Sequence, residues 1–259
     1  MADIPDQPFH LSEQIHEDDI YPMAVLGHNA FLDDSHTNLK KHLVAERASV
    51  IDDSGIREWL QMPERCKVVK AINNQTGEIM GFICWAHRGY VSRATQSETV
   101  KGRFSDSVDE EKKKRTKIQI MEDMEDNHFV DFMTDIMPEG TKCWYVAGLS
   151  VATKFQRMGV ARALLRFGTL RAEKDNVFAW VHSSQSAWKA YSSCGFQVVR
   201  VLRIDLDRYA EGDAIGKGPG NDGKWGVYTV RYMVYRPERI GSTGWPVISE
   251  NEVESIALS

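Results

Sequence analysis

The sequence predicts an α/β fold, a single domain built on one sheet with helices packed against it. Three observations carry the prediction. From Trp144 onward, strand-like and helix-like runs alternate and then give way to two long strand-like runs, the order of an α/β sheet finished by an antiparallel hairpin. Earlier, two β-rich runs flank the turn Asn73-Asn74-Gln75-Thr76-Gly77, whose glycine can supply a positive φ. The composition, 259 residues with 42% hydrophobic and 27% charged side chains, suits one large globular domain and excludes a disordered or fibrous protein.

Taken in order, Met1 to His10 is acidic, contains proline and lacks an apolar core, so it is not read as a targeting segment. From Glu17 to Asp34, Ile20, Met23, Ala24, Leu26, Ala30 and Phe31 recur at helical spacing, and a second periodic stretch runs from Thr37 to Leu60. Two opening helices are expected. Cys66 to Ile72 and Glu78 to His87 form the hairpin. Between Gly89 and Asn127 the chain turns polar: Asp109-Glu110-Glu111 precedes Lys112-Lys113-Lys114-Arg115, and Ile118, Met121 and Met124 then repeat with helical period. We read residues 90–128 as a charged insertion with one solvated helix, where acid followed by base gives ordinary i,i+4 ion pairs. The basic tetrapeptide also has the form of a nuclear-localisation signal.

Trp144 to Val151 reads as a strand, Val160 to Lys174 as a helix, Val177 to His182 as a strand and Gln185 to Cys194 as a short helix. Phe196 to Leu206 and Val227 to Tyr235 are the final strands. Glu211 to Trp225, punctuated by Gly212, Gly216, Gly218, Gly220 and Gly223, is a loop. The domain is bounded at residues 7–240, and 241–259 is a tail without strong pattern.

Lys and Arg number 32 against 37 Asp and Glu, a net charge of -5, so binding to nucleic acid through a basic overall field is not expected. No apolar run approaches the roughly 18 residues that span a bilayer, and no membrane partner is expected. The reading is a soluble, cytoplasmic protein, with a nuclear location as the alternative that the basic tetrapeptide allows. The four cysteines, Cys66, Cys84, Cys143 and Cys194, include no Cys-x-x-Cys pair. That spacing argues for reduced, mostly buried thiols, and no metal is expected.

The segment that carries chemistry runs from Leu149 to Ala161, a strand that enters a short loop and then a helix. Small residues at Gly159 and Ala161 let a ligand approach the backbone, and the helix start offers unpaired N–H groups and a positive dipole end, an arrangement that binds phosphates. Ala161, Leu164, Leu165, Gly168 and Ala172 form the helix's inward stripe, with Arg162, Arg166 and Arg171 between them. A glycine at one strand-to-helix turn is weak by itself. The spacing Gln156-x-x-Gly159-x-Ala161, preceded by Leu149-x-Val151 and followed by Tyr191-x-x-x-Gly195-Phe196, resembles the GNAT superfamily of acyl-CoA N-acyltransferases, in its fungal-type members.

The matching segments cover about Trp144 to Val198, and the order of the flanking elements follows the family over most of the chain. The resemblance implies one GNAT-like domain, with a mixed, mostly antiparallel sheet, a splayed parallel pair of strands and helices on both faces. It implies acetyl-CoA as co-substrate. Leu149 and Val151, with Ser150 between them, would bind pantetheine and acetyl groups through backbone amides, and Gln156, Arg157, Met158, Gly159, Val160 and Ala161 would surround the pyrophosphate. The family's second loop glycine is Ala161 here. Ser184 would hydrogen-bond the cofactor, or else cap the following helix.

Tyr191 matches the tyrosine that in many members protonates the departing thiolate, where a positioned phenol meets the charge growing on sulfur. A half-buried tyrosine packing on the sheet is the other reading. For the general base, relatives often use a Glu on the fourth strand, but Trp144 to Val151 holds no carboxylate. His182, in Trp180-Val181-His182-Ser183-Ser184, ends the next strand, and an imidazole there has a suitable pKa near neutrality. A hydrogen-bonded structural histidine is the alternative; Glu122, Asp123 or Glu125 are the fallback carboxylates. Phe31, Trp85, Trp144, Trp180, Trp188 and Trp225 are candidates for an aromatic acceptor pocket, or for core.

These readings add up to an N-acetyltransferase acting on a primary amine of a small molecule by direct attack in a ternary complex. A protein or peptide N-acetyltransferase is the alternative within enzymes. A catalytically weak acyl-CoA-binding regulatory protein is the alternative outside them, which the missing fourth-strand carboxylate permits.

Overall fold

In the computed structural model, which describes residues 7–44, 51–90, 115–238 and 245–259, seven strands form one sheet. They are β1 (Phe9–Ser12), β2 (Cys66–Asn73), β3 (Ile79–Arg88), β4 (Cys143–Val151), β5 (Ala179–Ser183), β6 (Gln197–Asp205) and β7 (Val227–Tyr235), in the order β1-β2-β3-β4-β5-β7-β6. Every neighbouring pair is antiparallel except β4 with β5. The hairpin of β2 and β3 forms as expected: Gly77 takes φ 71°, and the Asn73 side chain accepts the Gln75 and Thr76 amides at 2.8 and 3.1 Å. The final hairpin also forms, but β7 lies inside the sheet and β6 at its edge.

The opening differs from expectation. Three helices stand where two were read: α1 (Glu17–Ala30), α2 (Ser35–Leu43) and α3 (Ser54–Gln61). Local side-chain bonds explain the starts of the last two: Asp34 caps α2 by accepting the Thr37 amide at 2.8 Å, and Asp52, one residue before the N-cap of α3, accepts the Ser54 amide at 2.9 Å in the turn that leads into it. β1 escaped the reading because four residues are too few to show a period.

The helix expected in the charged segment is α4 (Lys117–Ile136), and it is not solvated all round. Its period continues past Met124, so Ile118, Met121, Phe132 and Ile136 form one buried stripe while Asp123 and Asp126 face out. Thr116 and Gln119 make its capping box. Lys112, Lys113 and Lys114 lie outside the described residues.

α5 (Val160–Asp175) crosses the opposite face of the sheet. There Trp85 is wholly buried and lies on Gly168, where a Cβ would stand 2.0 Å from Trp85 Cε2; its Nε1 donates to the Leu164 carbonyl at 3.1 Å. α6 (Trp188–Ser192) follows β5, shorter than read, and α7 (Leu206–Tyr209) follows β6. The tail holds α8 (Glu250–Val253), whose Val253 is fully buried with the core that α5 joins. α1 and α3 pack against the other face, as does α4, so helices cover both. No helix among the described residues is long and apolar enough to cross a membrane. The thiols of Cys66, Cys84 and Cys143 are free and buried, and that of Cys194 is free and half-buried.

Candidate active site

The site begins with a failure of pairing. β4 and β5 pair only at Trp144 with Ala179 and at Tyr145 with Trp180, after which the two strands part. Across β3, Cys84 faces Gly148 but Trp85 faces Val146, so Ala147 is an extra residue, a β-bulge. A bulge reverses the alternation of backbone groups. Before it, the Trp144 amide points to β5, donating to Phe178 O at 3.1 Å; after it, the Ala152 amide points to β3, donating to Met80 O at 3.0 Å. Leu149 and Val151 therefore turn their amides away from β3, into the gap between β4 and β5. Gly148 is required beside the bulge, since a Cβ there would stand 2.5 Å from Trp59 Cη2 of α3.

The gap opens into a cleft of about 990 Å³. Leu149, Ser150 and Val151 line it from β4, and Gln156, Arg157, Gly159, Val160 and Ala161 from the loop and the start of α5. Met158 does not line it; its side chain is turned to solvent. Gly159 is the N-cap of α5 at φ 84°, and Arg157 is also left-handed at φ 64°, a backbone form that turns successive amides to one side. The first helical bond to close there is Ala163 N to Gly159 O at 3.0 Å, leaving the preceding amides for a ligand. A Cβ on Gly159 would meet no atom within 4 Å, so the space in front of this glycine is open to a ligand. Arg157, Arg162 and Lys189 bring positive charge to the same cleft. An anionic group such as a pyrophosphate fits these donors.

Tyr191 reaches the cleft from α6 with its ring buried edge-on against Phe196, centroids 5.6 Å apart. Burial raises its pKa, so the phenol keeps its proton as a neutral donor. Ser184 lines the cleft too, its Oγ 3.4 Å from Ser186 Oγ. It does not cap α6, which starts four residues later with Ala187 at the N-cap, because residues 185–187 form a turn instead.

His182 opens onto the cleft although protein packs around its ring: Phe129 and Tyr232 lie 5.1 and 5.0 Å away, centroid to centroid. Loss of hydration lowers its pKa to about 4, with Glu125 opposing the shift. The ring is thus neutral at physiological pH, well below the near-neutral value expected. Of the fallback carboxylates, Asp123 is exposed and pairs with Arg115. Glu125 belongs to a half-buried cluster in which His36 Nε2 and Lys40 Nζ lie 2.5 and 2.7 Å from its two oxygens. Burial raises the Glu125 pKa, but these partners outweigh it and the net shift is downward.

Residues that the sequence did not single out complete one wall of the cleft. Tyr228 of β7 lines the cleft, donates to Asp34 Oδ2 at 2.9 Å and stacks on His36 at 4.9 Å. Their signal is three-dimensional, since Asp34 and Tyr228 are far apart in sequence. Of the aromatic candidates, Phe31 lines the cleft. Trp85, Trp144 and Trp180 are core, Trp225 is buried with its Nε1 donating to Ala214 O at 2.8 Å, and Trp188 packs against Arg231. No group of three or more His, Cys, Asp or Glu side chains among the described residues is arranged to hold a metal ion.

The acetyltransferase (GNAT) family profile matches residues 36–196. No curated protein matches the sequence. Among solved structures, an insect putative arylalkylamine N-acetyltransferase from the yellow fever mosquito is similar at 17% identity and TM-score 0.53, over 88% of this chain and 87% of that one. An agmatine N-acetyltransferase in its apo form is similar at 10% identity and TM-score 0.52, over 88% and 99%. The ribosomal-protein-S18-alanine N-acetyltransferase of Escherichia coli aligns at 14% identity and TM-score 0.46, over 92% and 99%.

Proposed function

Because the chain belongs to the GNAT acetyltransferase family, whose co-substrate is acetyl-CoA, we propose that it acetylates the primary amine of a small molecule by direct attack in a ternary complex. Acetyl-CoA, when bound, supplies an acetyl group activated as a thioester. The amides and cations around Gly159 hold the pyrophosphate, and the Leu149 and Val151 amides hold the pantetheine and acetyl end. Tyr191 donates its proton toward the departing sulfur. His182, neutral and open to the cleft, takes the proton that the amine must lose, directly or through water.

The observation that carries the acceptor's size is the wall of the cleft at Tyr228. Tyr228 is tied to Asp34, stacked on His36, and His36 is tied to Glu125. The start of α2 therefore braces Tyr228 in the cleft wall, and a wall held in this way supports a small amine over a polypeptide chain lying in a groove. The test is acetyl-CoA turnover against arylalkylamines, aliphatic diamines and peptides with free N-termini. Turnover confined to peptides would move the acceptor to the peptide class. Binding of acetyl-CoA with no turnover of any amine would leave a regulatory acyl-CoA binder.

A further inference from the structure

We propose that Arg231 and Glu250 form a positioning pair through which the C-terminal segment 245–259 sets the helix carrying Tyr191. The proposal rests on the reading of Tyr191 as the proton donor. Arg231 lies on β7 opposite Ser183 and is only 6% exposed. A guanidinium cannot shed its charge, so burial there demands an anion and a favourable surface. It has both. Nη2 donates to Glu250 Oε1 at 2.6 Å, and the guanidinium carbon stands 4.6 Å from the centre of the Trp188 ring, a cation–π distance. Its Nε and Nη1 are buried with no acceptor among the described residues, which leaves Glu250 to balance the charge.

Trp188 opens α6, and Tyr191 follows three residues later on the same face. A helix of five residues with Ala187 at its N-cap and no side-chain cap has little setting of its own. What its rings touch decides where it lies. The other end of the chain of contacts is fixed: Val253 is buried, the Ile248 amide donates to Val198 O at 2.8 Å, and Arg203 Nη1 donates to the Glu254 and Ile256 carbonyls at 2.8 and 2.7 Å. The tail is anchored on β6, and Glu250 transmits its position through Arg231 and Trp188 to Tyr191.

The experiment uses the full chain and the amine it turns over fastest. Glu250→Gln keeps size and removes charge; it should lower kcat by about 5- to 50-fold, the scale of a small misplacement, with acetyl-CoA Kd unchanged. Glu250→Asp should recover part of the loss, and Trp188→Leu should reproduce it without touching the ion pair. In a Tyr191→Phe background, Glu250→Gln should cost nothing further, because the positioned group is gone. Wild-type kcat in Glu250→Gln, or the same fractional loss in both backgrounds, overturns the proposal; so does a lowered Tm with kcat intact. Wild-type turnover in Tyr191→Phe alone would instead strike at the donor reading, whatever Glu250→Gln does.

Discussion

At the scale of single residues, substitutions at three positions separate the roles proposed for the cleft. Gly159 combines a left-handed backbone with open space before it, so Gly159→Val is strained and thrusts a branched side chain toward the cleft. Acetyl-CoA should raise the Tm of the wild type by binding the folded state, and that rise should vanish in the folded variant. Retained coenzyme A affinity would take the loop out of the binding site. Tyr191→Phe removes one hydroxyl from a buried ring and should lower kcat by about 10- to 1000-fold with little change in coenzyme A binding. His182 makes the sharpest contrast between chemistry and packing. With its pKa lowered to about 4 by lost hydration, the ring is unprotonated through the neutral range, so it contributes no limb to the kcat/KM profile near pH 6.5. His182→Ala should lower kcat/KM most at neutral pH and recover in part as alkali supplies free amine; a profile that overlays the wild type after scaling would assign the ring to packing. The motif residues were legible because loop and helix start are contiguous in sequence. The outward turn of the Met158 side chain was not legible, because nothing in sequence tells which side of a turn a side chain takes.

At the scale of elements, contacts between them decide the outcome. α5 rests on β3 through Trp85 and Gly168, where a Cβ would overlap the indole. Gly168→Ala should destabilise the fold by about 1–3 kcal/mol or more, read as a lower urea midpoint at unchanged m-value. α2 is joined to α4 by Glu125, which accepts from His36 and Lys40. The folded carboxyl has a lowered pKa despite its burial, so its contribution is complete above the ordinary glutamate value and is lost as pH falls through the lower folded value. Glu125→Gln should therefore lower Tm at neutral pH, and the gap to the wild type should close on acidification. A gap independent of pH would mean that shape, and not charge, holds α2. α4 itself illustrates what a local reading loses. Its charged surface invited a solvated helix, while the stripe of Ile118, Met121, Phe132 and Ile136 only declares itself over the full length of the helix.

At the scale of the whole molecule, one sheet brings together the open turn at Gly159, a buried phenol and an open imidazole that lie on three separate segments. The sequence by itself determined the strand-to-helix turn at Gly159, the two hairpins and the family, because each is written in residues close together along the chain. Only the tertiary structure decided that β7 enters the sheet between β5 and β6, and that Asp34 at the start of α2 ties down Tyr228 in the cleft wall. It also decided the ionisation of His182, since lost hydration depends on which side chains of α4 and β7 surround the ring. The bulge at Ala147 stands between the two. Its consequence, the turning of the Leu149 and Val151 amides into the cleft, follows from pairing with β3, and pairing between distant segments leaves no mark on local composition or period.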